Sequence, residues 1–392
     1  MAVTEEKVCE RACETMRNRN LGWLKERVQA LGAFDGSLLE YVDSNKEMKK
    51  ATEKSQTSAS KILKLNSNEN FFVNPNDLNA ILQEVVKDLD LRVYDAKGMG
   101  EVREAIGKYV DAPPACIIVG SGSEQLIDLV VDLFVEKGDS VASIEPSFFV
   151  YQKRVLLRGA RFFGIPLNED LSINKKSILE KSTSRTRLLF VCSPNNPTGN
   201  EFDAGEIETL ADESSAIIVV DEAYAEFGDR SLVPLAVEKE NVIVLRTFSK
   251  AFGLAGLRFG YAVANSDLAL PISNIMPYTV NTITSKFVVR LLEHVEMIKE
   301  CVEMVKDERK RLVERLDSIR GIVVFDSKAN FVTFNPGKNA DQIYGRLLKE
   351  GIIVKNLGNL PVIGHCLRAT VGLPDANDRF LKTLRTIMDT ID

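Results

Sequence analysis

Residues 242–258 read VIVLRTFSKAFGLAGLR, an apolar run followed by hydroxyl side chains, a lysine and a glycine-rich turn. The apolar run is typical of a buried strand. Thr247, Ser249 and Lys250 then fall at the strand end, and Arg258 follows eight residues after the lysine. Two hydroxyls and a guanidinium suit a bound phosphate, and a lysine amine suits attack on a carbonyl. The stretch therefore predicts a strand-end site for a phosphorylated carbonyl compound.

Seven apolar runs alternate with helical segments around this stretch. They are CIIVG (116–120), SVASIE (140–145), ARFFGIPL (160–167), RLLFVCSP (187–194), AIIVVDEAY (216–224), VIVLRTFS (242–249) and RFGYAVA (258–264). Nearly continuous apolar strands joined by helices favour a mostly parallel sheet covered on both faces. We therefore expect an α/β protein whose large domain holds a seven-stranded sheet. Its ligand is expected beyond the carboxyl ends of the strands.

The segments on either side of the sheet predict additional parts. Residues 1–60 combine a helical pattern with a polar stretch from 43 to 60, which indicates a helical arm and a linker. After the last strand, a long helical region from about residue 285 to 318 precedes shorter strand and helix patterns. We therefore expect a large domain at 96–280, and a connecting helix with a small α+β domain at 281–392.

Composition restricts the classes of partner. The 392 residues are 45% hydrophobic and 27% charged, with a net charge of −6. Without a basic excess, nucleic acid is not an expected partner. No apolar run reaches the length of a bilayer span, and the N-terminal residues lack the apolar stretch of a secretion signal. We expect a cytoplasmic protein that does not bind membranes.

Cysteine and histidine usage argues against metal and triad chemistry. The six cysteines include no C-x-x-C pair, and only two histidines are present, His294 and His365. The sequence therefore offers few side chains that could form a zinc site or a Ser-His-Asp triad. Free buried thiols and no metal site are expected.

Polar residues after other strands complete a candidate site. Asp221 ends a buried run, where it can pair with a protonated pyridine nitrogen or simply cap a helix. Tyr224 and Asn196 can donate hydrogen bonds to a phenolate oxygen, although the NNPTG stretch is also a good turn. Lys250 with these partners suits pyridoxal 5'-phosphate (PLP) held as a Schiff base.

Three further positions suit a phosphate, a ring and a substrate anion. GSGSEQ (120–125) opens a helix whose backbone N–H groups can bind phosphate, although such turns are common. Phe148 can stack on a flat ring or belong to the core. Arg368 lies in an apolar strand pattern, where a buried guanidinium needs a substrate anion or an internal carboxylate.

These motifs resemble fold-type I PLP-dependent aminotransferases, and among them the histidinol-phosphate aminotransferase branch. KLNSNEN, RVYDAKG, GSGSEQ, EPSFF, SPNNPTG, DEAY, TFSKAFGLAGLR and CLRATVG follow in the family's order from about residue 64 to the C-terminus. The resemblance implies PLP as cofactor and glutamate with 2-oxoglutarate as one substrate pair. The other partner is a keto acceptor, expected to be imidazole-acetol phosphate, which yields L-histidinol phosphate. It also implies that residues 61–95 begin the small domain and form a dimer arm.

Residue roles follow from the same resemblance. Lys250 would bind the cofactor aldehyde and move a proton, and Asp221 would pair with the ring nitrogen. The other implied cofactor contacts are Gly122, Ser123, Glu124, Phe148, Asn196, Tyr224, Thr247, Ser249 and Arg258. Tyr94 matches the tyrosine that the family sends across a homodimer interface to the neighbouring cofactor and substrate. Arg368, Lys355 and Asn70 would face the substrate.

Some positions depart from the family pattern, so other activities on the same scaffold stay open. Lys355 stands where an arginine is frequent, and lysine lacks the planar fork that binds phosphate. Asn70 replaces a substrate-facing tyrosine, and the N-terminal arm is longer than usual. The alternatives are an aminotransferase for aromatic or other α-amino acids, a threonine-phosphate decarboxylase-like enzyme and, more remotely, a non-catalytic PLP-fold regulator.

Overall fold

A computed structural model describes residues 62–87, 89–94, 98–276 and 280–390. The predicted arm and linker at 1–60, with Cys9 and Cys13, lie outside these residues. The strands are β1 Leu63–Lys64, β2 Ile117–Gly120, β3 Ser140–Glu145, β4 Arg161–Pro166, β5 Thr186–Cys192, β6 Ile217–Asp221, β7 Val242–Thr247, β8 Gly260–Val263, β9 Val323–Val324, β10 Phe331–Asn335, β11 Ile352–Ile353, β12 Lys355–Leu360 and β13 Gly364–Thr370.

The α-helices are distributed between and around these strands. They are α1 Pro75–Val86, α2 Gly98–Val110, α3 Ser123–Phe134, α4 Val150–Leu157, α5 Lys175–Lys181, α6 Ala204–Glu213, α7 Val233–Glu238, α8 Ser266–Ile275, α9 Thr282–Leu292, α10 Val295–Asp317, α11 Ala340–Lys349 and α12 Pro374–Met388. Several begin at an asparagine or aspartate whose side chain accepts a bond from the first turn, as Asp203 does for α6. None of the described helices combines the length and the apolar character needed to cross a membrane.

The seven predicted runs form one seven-stranded sheet, which confirms the α/β fold class. Its strand order is β2-β8-β7-β6-β5-β3-β4. β8 runs antiparallel to both of its neighbours, and the remaining adjacent pairs are parallel. Six strands therefore point the same way, and their carboxyl ends meet at one edge.

Alternate side chains of the central strands enter two separate cores. In β6, Ile218 and Val220 pack into one apolar cluster and Val219 into the other, all three fully buried. Successive side chains of a strand point to opposite faces, so a continuous apolar run is what a sheet covered on both faces requires. The next residue, Asp221, therefore faces the same side as Val219.

The remaining strands form two smaller sheets. β12, β13, β10 and β9 form an antiparallel sheet in that order, and β1 pairs in parallel with β11. The long helical region predicted before them is two helices, α9 and α10, separated at Glu293 and His294. Among the described cysteines, Cys116, Cys192, Cys301 and Cys366 are buried free thiols, as predicted. The domain boundaries drawn from the sequence remain a prediction.

Candidate active site

Five strand ends supply most of the predicted site residues. Because the parallel strands share one direction, the segments that follow them meet at one edge of the sheet. The residues at or just after these ends are Gly122 and Ser123 (β2), Phe148 (β3), Asn196 (β5), Asp221 (β6), and Thr247, Ser249 and Lys250 (β7). Phe148 is half-buried and lies in edge contact with Phe149 and Tyr151.

A cradle for an anion lies at the start of α3. Gly122 precedes this helix with φ +89°, a conformation that glycine adopts without strain. A Cβ atom at Gly122 would lie 2.9 Å from Nη2 of Arg258, so a larger residue there would displace this guanidinium. The free backbone N–H groups of the first turn, starting at Ser123, and the guanidinium can bind one anion together.

The other predicted phosphate contacts surround this guanidinium. Arg258 Nη1 lies 3.5 Å from Ser249 Oγ, and Nη2 lies 3.9 Å from a carboxylate oxygen of Glu124. The Arg258 side chain is 47% exposed, which leaves it accessible to a ligand. Thr247 is turned inward: its hydroxyl accepts a bond from the Ser249 amide at 3.1 Å and donates to the Phe259 carbonyl at 3.4 Å. Thr247 therefore shapes the turn that carries Ser249.

Lys250 presents its amine to the centre of the site. Its Nζ donates to the Ser67 carbonyl at 3.0 Å and lies 5.8 Å from the ring centroid of Tyr224. Burial, followed by the charge of Arg368, lowers the pKa of this amine to about 8. At pH 7 roughly a tenth of the molecules then carry the neutral, nucleophilic amine, far more than for a lysine in water.

Asp221 is a buried carboxylate held from two directions. The Tyr151 hydroxyl donates to its Oδ2 at 2.7 Å, and the Ala223 amide donates to its Oδ1 at 3.1 Å. Burial raises the pKa of Asp221, and the bond from Tyr151 lowers it. The sequence reasoning missed Tyr151. The sequence feature that could have identified Tyr151 is its position three residues after Phe148, in the first turn of a helix.

Tyr224 is oriented by Asn68, a residue of the KLNSNEN motif to which the sequence analysis assigned no role. Its hydroxyl accepts a bond from Asn68 Nδ2 at 2.9 Å, so its own hydrogen can be donated elsewhere. Asn68 is held by Thr370, whose Oγ1 accepts from the Asn68 amide at 2.9 Å. Burial raises the pKa of Tyr224, so the hydroxyl keeps its proton.

Arg368 joins the small antiparallel sheet to the site. Its Nη1 donates to Asn196 Oδ1 at 2.5 Å and its Nη2 donates to the Asn66 carbonyl at 3.0 Å. The guanidinium carbon lies 5.1 Å from the centroid of the Phe331 ring. Because Asn196 accepts through its oxygen, its amide nitrogen is the atom oriented to donate.

Lys355 lies directly opposite Arg368 in the β12–β13 ladder. Opposed residues of an antiparallel pair project to the same face, so the two cations belong to one surface. Asn70, the third residue predicted to face substrate, is used internally. Its Nδ2 donates to the Ala251 carbonyl at 2.8 Å, and its Oδ1 accepts from the Phe72 amide at 3.0 Å.

Tyr94 lies on the surface of the chain. Its side chain is 82% exposed, and the nearby Leu91 and Val93 are 65% and 60% exposed. These residues border a cleft of about 560 Å³ together with Val280 and Thr282. Tyr94 is thus far more exposed than Lys250, Asp221 and Tyr224 of the candidate site.

The arrangement suits one flat, charged ligand and one anionic substrate. The cradle at Gly122 and Arg258 can take a phosphate, and the Asp221 carboxylate can take a cationic ring atom. The Lys250 amine can bind a carbonyl carbon, and Arg368 can take a carboxylate or phosphate.

Comparison with known proteins gives consistent matches. Residues 60–384 match the family described as aminotransferase class I and II. A histidinol-phosphate aminotransferase of Caldanaerobacter subterraneus subsp. tengcongensis is 37% identical over 327 residues, which are 83% of this chain and 93% of that protein.

Two solved structures share the fold. The histidinol-phosphate aminotransferase from Clostridium acetobutylicum aligns with a TM-score of 0.77 and 26% identity, covering 84% of this chain and 100% of that one. The enzyme of that name from Sinorhizobium meliloti, in complex with pyridoxal-5'-phosphate, aligns with a TM-score of 0.77 and 24% identity, covering 85% and 92%. These matches confirm the predicted fold type.

Proposed function

The chain belongs to the aminotransferase class I and II family, and from that premise we propose that it is a PLP-dependent histidinol-phosphate aminotransferase. The proposed reaction converts L-histidinol phosphate and 2-oxoglutarate to imidazole-acetol phosphate and L-glutamate. The observation that carries the proposal is the 37% identity to a histidinol-phosphate aminotransferase over 93% of that protein's length. The resemblance predicted from the sequence motifs agrees with this match.

The residues of the site fit PLP. The cradle beside Gly122 would be filled by a Cβ atom, and its donors are those that a phosphate requires. Asp221, 3% exposed, is a buried carboxylate that suits a cationic ring nitrogen. Lys250 brings a partly neutral amine to the same space. Ser123, Glu124, Ser249 and Arg258 would surround the phosphate, and Phe148 would lie against the ring.

When bound, PLP supplies an aldehyde for the amine and a ring that takes up the electron pair released at the substrate α-carbon. The Lys250 amine would hold the cofactor through its aldehyde and, as the free amine, would move the proton at the substrate α-carbon. Asp221 holds the proton of the ring nitrogen in place by its negative charge. Tyr224 and Asn196 donate hydrogen bonds to the ring oxygen.

Substrate anions are bound by the cations of the small sheet. Arg368 is already oriented by Asn196 and by the Asn66 carbonyl, so a carboxylate can approach a guanidinium that needs no rearrangement. Lys355 on the same face adds a second positive charge for a substrate phosphate. Asn70 supports the loop next to Lys250 through the Ala251 carbonyl and is proposed to act on substrate only through that loop.

The proposal extends to a cytoplasmic homodimer. The exposed apolar side chains of Leu91 and Val93 around Tyr94 support a surface that a second copy covers. Tyr94 would then reach the partner's cofactor phosphate and substrate. Light scattering that gives the mass of a single chain, or cell fractionation that finds the protein in membranes, would contradict these two points.

The substrate is identified by the two half-reactions taken separately. Cofactor-loaded protein is mixed with glutamate, and the change in its visible absorbance is recorded. Imidazole-acetol phosphate, phenylpyruvate and other keto acids are then offered in turn. We expect imidazole-acetol phosphate to restore the first spectrum fastest. Faster recovery with phenylpyruvate would identify an aromatic aminotransferase, and carbon dioxide release from threonine phosphate would identify a decarboxylase.

Lys355→Ala should raise the KM for the phosphorylated substrate more than the KM for glutamate. Loss of one cation beside Arg368 should raise KM for L-histidinol phosphate about tenfold and change KM for glutamate less than twofold, because glutamate carries no phosphate. Steady-state kinetics with each substrate varied measures the ratio. Lys328→Ala, at a half-exposed lysine paired with Asp229, is the matched control. Equal increases for both substrates would show that Lys355 has a structural role instead.

A further inference from the structure

Tyr151 is a fully buried residue whose ring and hydroxyl have different neighbours. The ring stacks on Phe190, with centroids 4.3 Å apart and planes within 6° of parallel. The hydroxyl donates to Asp221 Oδ2 at 2.7 Å, and the thiol of Cys192 lies near it. A phenylalanine would serve the packing equally well. The hydroxyl therefore has a use that the apolar core does not explain.

The hydroxyl and a backbone amide define the plane of the carboxylate. Tyr151 binds Oδ2 and the Ala223 amide binds Oδ1, so rotation of the Asp221 carboxylate would break both bonds. Each oxygen keeps a second lone-pair direction, because a carboxylate accepts about four hydrogen bonds. The carboxylate is thus presented in one orientation with accepting capacity left for a ligand.

The same bond weakens the affinity of the carboxylate for a proton. Burial raises the pKa of Asp221, and the negative charge of Glu222 raises it further. The bond from Tyr151, the Ala223 amide and the charge of Lys250 lower it. A carboxylate that accepts such a bond competes less well for a proton shared with a ring nitrogen. The shared proton then stays on the nitrogen.

We propose that Tyr151 is a positioning residue that keeps Asp221 ionised and aimed at the protonated ring nitrogen of the cofactor. It touches neither substrate nor cofactor and acts through the carboxylate. This inference rests on the proposed function, since it requires a cofactor with a basic ring nitrogen.

The test compares two ligands that differ in that nitrogen. The full-length protein, freed of cofactor, is titrated calorimetrically with PLP and with 1-deaza-PLP, in which a C–H group replaces the nitrogen. Tyr151→Phe should weaken PLP binding about tenfold, because the Asp221 oxygen loses a charge-assisted bond. It should change 1-deaza-PLP binding less than twofold, because that ring shares no proton with Asp221.

Tyr261→Phe provides a matched control. Tyr261 is also a fully buried tyrosine of the large sheet, and its hydroxyl has no hydrogen-bond partner within the described part of the chain. The Tyr261→Phe variant should change the affinity for each of the two ligands less than twofold. Equal weakening of both ligands by Tyr151→Phe, or no weakening of either, would overturn the inference. Unsubstituted protein that does not prefer PLP over the deaza compound would instead overturn the proposed function of Asp221.

A second variant keeps the test decisive if Tyr151→Phe does not fold. Tyr151→para-aminophenylalanine retains a ring of the same size and an N–H donor at the same distance from Asp221. We expect it to retain most of the preference for PLP over 1-deaza-PLP. Loss of that preference in a folded variant would contradict the role of the donated bond.

Discussion

Lys250→Ala is expected to abolish turnover and the visible absorbance of bound cofactor. The change removes the amine that binds the aldehyde and the base that carries the α-carbon proton, so kcat falls by about 10⁴-fold or more. Within the described residues, the Lys250 Nζ lies against the Ser67 carbonyl and the Tyr224 ring, and neither of these groups is an amine. Absorbance spectra of the purified variant and single-turnover assays with glutamate measure the two losses.

The control for this result is a lysine at the opposite, amino-terminal edge of the sheet, away from the site. Lys239→Ala removes an amine that bridges Asp212 and Glu208 on the surface, and it should leave both the spectrum and kcat unchanged. A Lys250→Ala protein with the same visible absorbance and turnover as the unsubstituted protein would contradict the assignment of Lys250 as the residue that binds PLP.

Asp221→Asn is expected to reduce kcat by about 10²–10³-fold and to lower the melting temperature of the cofactor-free protein only slightly. The amide keeps the shape and its oxygen can accept the bond from Tyr151, but its NH2 group cannot accept the bond from the Ala223 backbone amide, and it cannot counter a charged ring. Burial raises the pKa of Asp221, which means that folding disfavours its charge, so removal of the charge offsets part of the stability lost with the Ala223 bond. Kinetics with saturating PLP and thermal melts of the cofactor-free protein measure both effects.

For the adjacent carboxylate, Glu222, we expect a large loss of stability and little loss of kcat. Glu222 pairs with the buried Arg246 at 2.7 Å, and Arg246 also binds Glu226 at 2.9 Å. Glu222→Gln should cost about 3 kcal/mol of unfolding free energy, because one charge of a buried pair is lost, and should leave kcat within a few-fold. If Asp221→Asn destabilised the fold as strongly and preserved kcat, the roles assigned to these two acids would be reversed.

The sheet was predictable because buried parallel strands have a distinctive sequence. Each of the seven apolar runs became a strand of one sheet, since four or more consecutive apolar residues are needed when both faces are covered. The polarity of the residue after each run then placed Asp221 and Lys250 at the carboxyl edge. The break between α9 and α10 was not predicted, because the helical pattern continues through Glu293 and His294.

The residues that orient the site were harder to find. Asn68 reaches Tyr224 across 156 positions of sequence, and Asn66 reaches Arg368 across 302. No local pattern marks an asparagine for such a contact, since the same residue type is common in turns. Tyr151 resembled a core aromatic, because only its hydroxyl distinguishes it from phenylalanine.

The amino-acid sequence by itself determined the α/β class, the strands and the chemical groups at their ends. These depend on local alternation and on the residue types that follow each strand. Only the tertiary structure showed which partners hold the two neighbouring acids. Asp221 and Glu222 differ by one position, and the pleat sends them to opposite faces, one to Tyr151 and the other to Arg246. It also decided that Lys355 stands beside Arg368, because strand register is set by packing across the whole sheet.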